Sequence, residues 1–126
     1  MGVVIADVAD KGVPAALYMA LSRTVIRTSA LGGRRPAAVL TRANSIIRED
    51  SKSDMFLTAC YATFDLSTGR MVLANGGHNR PFLWRGNDTT ASEIKTRGIL
   101  LGTFEEITLE ERETLQRTAR EAGEEA

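Results

Sequence analysis

Gly2-Val3-Val4-Ile5-Ala6-Asp7-Val8-Ala9-Asp10-Lys11-Gly12-Val13-Pro14-Ala15-Ala16-Leu17 is the stretch whose reading decides the fold. β-Branched residues run up to an acid, pass through a glycine-bearing turn and enter an Ala/Leu/Met-rich helix. Pro14 suits the first turn of that helix because no N–H donor is needed there. A carboxylate at a strand end is held rigidly by the sheet. Gly12 and the helix start bring backbone N–H groups and a positive dipole end toward an anion. Asp7 is thus a candidate cation ligand and the turn a candidate phosphate-facing element. The residues alone equally allow Asp7 or Asp10 to cap the helix or close the turn.

Working outward, Val3 to Val8 reads as a strand apolar and buried on both faces, and Pro14 to about Leu31 as a helix ended by Gly32-Gly33. Ala15 to Leu21 is apolar around almost the whole circumference, so that half should be covered on several sides. Pro36 opens a second helix. Its Val39, Leu40, Ala43, Ile46 and Ile47 form one stripe, with Arg42, Arg48, Glu49 and Asp50 largely off it. Met55 to Phe64 alternates as a strand, Asp65 to Gly69 is turn chemistry, and Arg70 to Ala74 returns as the partner strand of a hairpin. Asn75 to Asn79 is a glycine-rich loop. Arg80 to Trp84 resumes extended structure, and Glu93 to Thr96 adds a short strand.

The 126 residues, 43% hydrophobic and 25% charged, bound the answer to one ordinary globular domain. No apolar run approaches the ~20 residues of a membrane span and no signal peptide is present, so the expected compartment is the cytoplasm, without a membrane partner. The net charge of zero hides an asymmetry. Glu105 to Ala126 carries eight Glu and three Arg and is acidic; the body is mildly basic. Arg23, Arg27, Arg34, Arg35, Arg42 and Arg48 fall mostly on solvated helix faces, and seven aromatics with no recognition motif argue against nucleic acid. The single Cys60 reads as a buried core residue. With one Cys and one His, a structural zinc site is disfavoured. His78 is the one group that ordinarily titrates near neutrality.

Three ordered stretches carry a resemblance. Asp7 to Leu17, followed by Met19-Ala20, resembles the Gly-Asp-Val-x-x-Lys/His-Gly-x-x-Ala-Ala-Leu-x-Met motif of bacterial metal-dependent protein serine/threonine phosphatases, the SpoIIE/RsbU branch of the PPM (protein phosphatase 2C-like) family. Ala6 stands where Gly is usual. Met55 to Tyr61 with Asp65 to Gly69, and Ala74 to Pro81, match in order and spacing. Gly98-Ile99-Leu100-Leu101-Gly102 is similar to a Gly-x-Pro-Leu-Gly turn of the family, with Leu100 in the place of Pro. Beyond Phe104 the resemblance ends.

The resemblance implies an α+β fold, the PPM-type α-β-β-α sandwich of antiparallel sheets flanked by helices, incomplete in this chain. It implies hydrolysis of phosphoserine or phosphothreonine with two Mn²⁺ or Mg²⁺ ions that activate a water for in-line attack. By position Asp7 corresponds to the catalytic carboxylate that bridges the two ions, and Val8 to the residue whose carbonyl completes the metal shell. His78 corresponds to a hydrogen-bonded structural residue rather than a ligand. The implied partner is a phosphorylated regulatory protein of the anti-anti-sigma-factor kind.

The family's further metal-binding acids belong to a Gly-Gly-Asp strand before Gly2 and to Pro-Gly-Asp and Thr-Asp-Gly motifs after Leu109. Glu110 to Ala126 contains neither downstream motif. The expectation is therefore a partial SpoIIE-type PPM domain over 1–104 and an acidic helical tail over 105–126, with this chain by itself inactive or nearly so. A non-catalytic interaction module of a sigma-factor switch is the alternative. A homodimer that repairs the incomplete sheet is a further possibility.

Overall fold

Gly2 to Val8 is extended in the computed structural model, which describes residues 1–51 and 54–115. This strand, β1, is followed by helices α1 (Val13–Ala30) and α2 (Pro36–Asp50) and strands β2 (Leu57–Asp65) and β3 (Arg70–Gly76). The short strands β4 (Phe82–Leu83) and β5 (Ser92–Glu93) come next, and β6 (Glu111–Leu115) is the final described element. β1, β2, β3 and β6 form one antiparallel sheet in that order; β4 and β5 pair separately.

Both helices lie on one face of the sheet. Strand alternation sends Leu57, Ala59 and Tyr61 of β2 and Ala74 of β3 to that side, where they meet Ile26 of α1 and Val39, Leu40, Ala43 and Ile47 of α2. The expected stripe of α2 is the one that packs: Val39, Leu40, Ala43 and Ile47 are fully buried and Ile46 is half-buried. On the opposite face Ala62, Met71, Leu73 and Ile94 form a smaller core with Cys60, Phe64 and Leu83 around it, closed over partly by the β4–β5 pair.

The β2–β3 hairpin forms as its turn chemistry dictates. Gly69 takes a φ of 77°, and the Asp65 carboxylate accepts hydrogen bonds from the Ser67 hydroxyl at 2.6 Å and the Ser67 N–H at 3.0 Å. These bonds favour the carboxylate and hold Asp65 below its ordinary pKa.

Two burial expectations are corrected. β1 is a sheet edge rather than a buried strand, and Ile5 is 62% exposed. The apolar N-terminal half of α1 is covered on one side only, leaving Val13 and Leu17 mostly exposed. In both cases the apolar pattern exceeds what the described residues cover.

The helix expected from Thr108 is also corrected, because residues 111–115 form β6. Glu and Arg favour helix locally, but β3 offers an open edge, and the Glu side chains serve distant partners. Glu111 accepts from Arg35 Nε at 2.7 Å and from the Ala37 N–H at 2.9 Å, occupying one free donor in the first turn of α2. Arg35 and Arg70 both pair with Glu113. β6 is thus a strand of the main sheet rather than part of a separate helical tail; residues 116–126 lie outside the described residues.

One polar core residue sits in the α2 stripe unannounced by periodicity. Asn44 is 1% exposed; its Oδ1 accepts from the Gly102 N–H at 2.8 Å and its Nδ2 donates to the Phe104 carbonyl at 2.9 Å. Asn44→Ala strands both groups, and a loss of roughly 2–4 kcal/mol in urea denaturation is expected, against under ~0.5 for Ser45→Ala on the exposed side of the same helix.

Candidate functional site

The site starts from the end of β1. Asp7 is exposed and lies directly opposite Thr58 of β2. The Phe64 N–H donates to the Met1 carbonyl at 2.8 Å, and the Ala9 N–H to the Phe56 carbonyl at 3.0 Å. Such pairs recur every second residue in an antiparallel ladder, so Val3, Ile5 and Asp7 turn their backbone groups toward β2. Gly2, Val4, Ala6 and Val8 turn theirs to the outer edge, which pairs with no strand among the described residues. The Val8 carbonyl thereby points outward at the open edge, one residue from the Asp7 carboxylate.

The turn that follows separates the two acids. Asp10 Oδ1 accepts from the Lys11 N–H at 2.7 Å, so Asp10 closes the turn. α1 starts at Val13 with no side-chain cap, Gly12 preceding it at a φ of 87°. Neither acid caps the helix. Asp10 has the structural task, and Asp7 is left facing solvent at the strand end.

A second group of residues flanks Asp7 across β2. His78 Nδ1 and Thr58 Oγ1 are 2.8 Å apart. The His78 backbone is gripped by Asn75, whose Oδ1 accepts from the His78 N–H at 2.7 Å and whose Nδ2 donates to the His78 carbonyl at 3.0 Å. Gly77, at a φ of 72°, makes the tight return possible. His78 is hydrogen-bonded as the resemblance implied. Thr58 and Asn75 carried no assigned role in the sequence. An Asn closing a strand just before Gly-Gly was the available signal, because its side chain can bond the main chain of the turn it precedes.

His78 also borders an open apolar cleft of about 460 Å³ on the sheet face away from the helices, walled by Ile5, Cys60, Phe64, Leu73 and Phe82 among others. Burial pushes the Cys60 thiol up, which disfavours the thiolate and agrees with a packing role.

The donor chemistry fits a hard divalent cation, but the number of donors does not fit two. One carboxylate and one carbonyl are offered, and among the described residues no three His, Cys, Asp or Glu side chains come together.

This architecture is that of PP2C-like phosphatase domains. The chain superposes with a TM-score of 0.80 on the RsbU and RsbW domains of a Mycobacterium tuberculosis protein, at 24% identity, covering 92% of this chain and 32% of that one. It superposes with a TM-score of 0.75 on the SiaA-PP2C domain of Pseudomonas aeruginosa, at 21% identity, covering 92% of this chain and 46% of that one. Residues 1–118 match the family described as Stage II sporulation protein E (SpoIIE), and the chain belongs to that family. The matched span runs past Phe104 and takes in β6, so the family region extends beyond the boundary the motifs suggested. Phosphoserine phosphatase RsbU of Bacillus subtilis (strain 168) is 29% identical over 102 residues, 81% of this chain and 30% of that protein. The chain therefore spans about a third of the length of that curated relative. No helix among the described residues is long and apolar enough to cross a membrane.

Proposed function

We propose that this chain is a region of a metal-dependent protein serine/threonine phosphatase, in which Asp7 and the Val8 carbonyl contribute to a Mn²⁺ or Mg²⁺ centre. Its substrate is a phosphoserine or phosphothreonine on a cytoplasmic regulatory protein of the anti-anti-sigma-factor kind. The observation that carries this reading is the end of β1: an exposed carboxylate fixed by the sheet beside a carbonyl aimed at an open edge. The family relationship to a phosphoserine phosphatase supports the reaction class, and the RsbU–RsbW neighbour supports a partner from a regulatory switch.

The chain's own residues have limited tasks. Asp7 presents two oxygens from a rigid strand, and the turn through Gly12 brings the N-terminus of α1 behind them. Because the described donors do not complete a two-ion centre, this chain by itself is inactive or nearly so in this reading.

The test is a calorimetric Mn²⁺ titration of this chain and of Asp7→Ala, with p-nitrophenyl phosphate turnover read on the same samples. The expected result is weak binding, lost in the variant, without turnover. Binding of equal strength in both proteins would sink the assignment of Asp7. Tight binding of two ions with turnover would show that the assembly supplies the other ligands. A chain that binds a phosphorylated partner without metal would favour an interaction module instead, the reading favoured by the scarcity of donors.

A further inference from the structure

We infer that the pocket beneath the connector between α1 and α2 is a binding site for a small phosphomonoester, with Tyr61, Thr63 and Arg34 as its donors. It lies at the far end of the sheet from Asp7 and stands apart from the phosphatase reading. Thr63 pairs with Gly2 and Thr58 with Asp7, so the two places are separated along β2 by about 17 Å.

The pocket has a volume of about 390 Å³ and is walled by Arg34, Arg35, Pro36, Tyr61, Thr63 and Val72 among others. Tyr61 is the residue that points to a ligand. It is 7% exposed, and its hydroxyl has no hydrogen-bond partner among the described residues. The Tyr18 hydroxyl is sealed in the core, whereas Tyr61 opens on the pocket. Gly2 forms the adjoining wall, and a Cβ there would come within 2.7 Å of the Tyr61 hydroxyl oxygen, so the polar end of the ring is the end at the pocket. A buried phenol in this position has given up its water, and an acceptor in the pocket restores the bond. Thr63, two residues further along β2, presents a second unpartnered hydroxyl on the same face.

The charge at the rim has a fixed geometry. Arg34 Nη1 donates to the Ser29 carbonyl at 3.2 Å and the Leu31 carbonyl at 3.0 Å, which holds the guanidinium in place and leaves Nε and Nη2 for another acceptor. Arg35 and Arg70 are matched by Glu111 and Glu113, but Arg34 has no carboxylate partner among the described residues. Neither glutamate lines the pocket. Glu111 already occupies the first turn of α2, so the site does not draw on that helix end.

Two hydroxyls and a guanidinium, with no carboxylate in the lining, select an oxyanion. The donors approach from the connector and from two levels of β2, which suits the tetrahedral oxygens of a phosphate better than the plane of a carboxylate. Inorganic phosphate would leave most of the volume empty. Ala30, Pro36 and Val72 offer an apolar wall to a short organic body.

The experiment is a titration of the dilute ¹⁵N-labelled chain with phenyl phosphate, in EDTA and at constant ionic strength, read by amide NMR shifts. Saturable shifts centred on residues 33–37 and on Thr63 are expected, with inorganic phosphate and benzoate binding more weakly. Tyr61→Phe and Thr63→Val each remove a hydroxyl with little change of shape and should weaken binding roughly tenfold. Asp7→Ala should leave it unchanged. Shifts that do not saturate, that centre on Asp7 and Gly12, or that are as strong in both hydroxyl variants overturn the site. Benzoate bound as tightly as phenyl phosphate overturns the phosphomonoester.

Discussion

Gly98→Ala is expected to destabilise the fold by about 3 kcal/mol or more, close to the largest effect available outside the main core. A Cβ at position 98 would collide with the Asn75 carbonyl oxygen, with the Leu109 side chain next in line. The Asn75 carbonyl belongs to β3 and cannot swing aside as a side chain does, so the 98–102 segment must lift off the sheet or β3 must bend. Overpacking of this kind costs about 1–3 kcal/mol when side chains yield, and more when the obstacle is main chain.

Gly102→Ala is expected to cost roughly 2–4 kcal/mol for a different reason. Gly102 has a φ of 99°, which an L side chain resists by about 1–2 kcal/mol, and its Cβ would meet the Tyr18 hydroxyl. That hydroxyl is buried with no hydrogen-bond partner among the described residues, and burial pushes its pKa up. Tyr18→Phe should therefore be neutral or slightly stabilising, and should recover part of the Gly102→Ala loss while recovering none of the Gly98→Ala loss. Urea denaturation of the single and double variants checks this. A Gly98→Ala protein within ~0.5 kcal/mol of the unmodified chain, or equal rescue of both by Tyr18→Phe, would contradict the packing described.

The second large effect concerns β1. Among the described residues its outer edge is unpaired along Gly2, Val4, Ala6 and Val8, and Val3, Val4 and Ile5 are exposed beside it. Natural sheet edges are protected by charges, Pro or bulges, and Gly2 to Ala6 has none of these. The chain is therefore expected to self-associate as concentration rises, two copies pairing antiparallel through β1. Ile5→Lys should restore a monomer, because it places a charge on each copy near the axis of the pair. Size-exclusion chromatography with light scattering reads the outcome directly. A monomer from the unmodified chain at high concentration would remove the homodimer.

Local chemistry made much of this protein legible in sequence. The β1–turn–α1 stretch, the one-sided stripe of α2 and the Asp65–Gly69 hairpin each rest on a periodicity or a turn residue, and each forms within a few residues of where the pattern places it. The position of Asp7 near the end of β1 was legible for the same reason, because where a strand stops is a local event. The match of three motifs carried the family, which the SpoIIE assignment bears out.

What the tertiary structure decided lies between residues far apart in the chain. Glu111 to Leu115 has the composition of a helix and is a strand because β3 had an edge to fill and Arg35 and Arg70 were waiting opposite its carboxylates. The exposure of β1 depends on which strands are present beside it, which a run of Val and Ile does not encode. Asn44 looked like one more polar residue in a helix until Gly102 and Phe104 supplied the backbone groups it satisfies. Thr58 and His78, twenty positions apart, meet because the β2–β3 register and the Asn75 loop bring them together. Periodicity fixes how a segment folds on itself; which donor meets which acceptor is settled by the register of strands that the chain must first bring side by side.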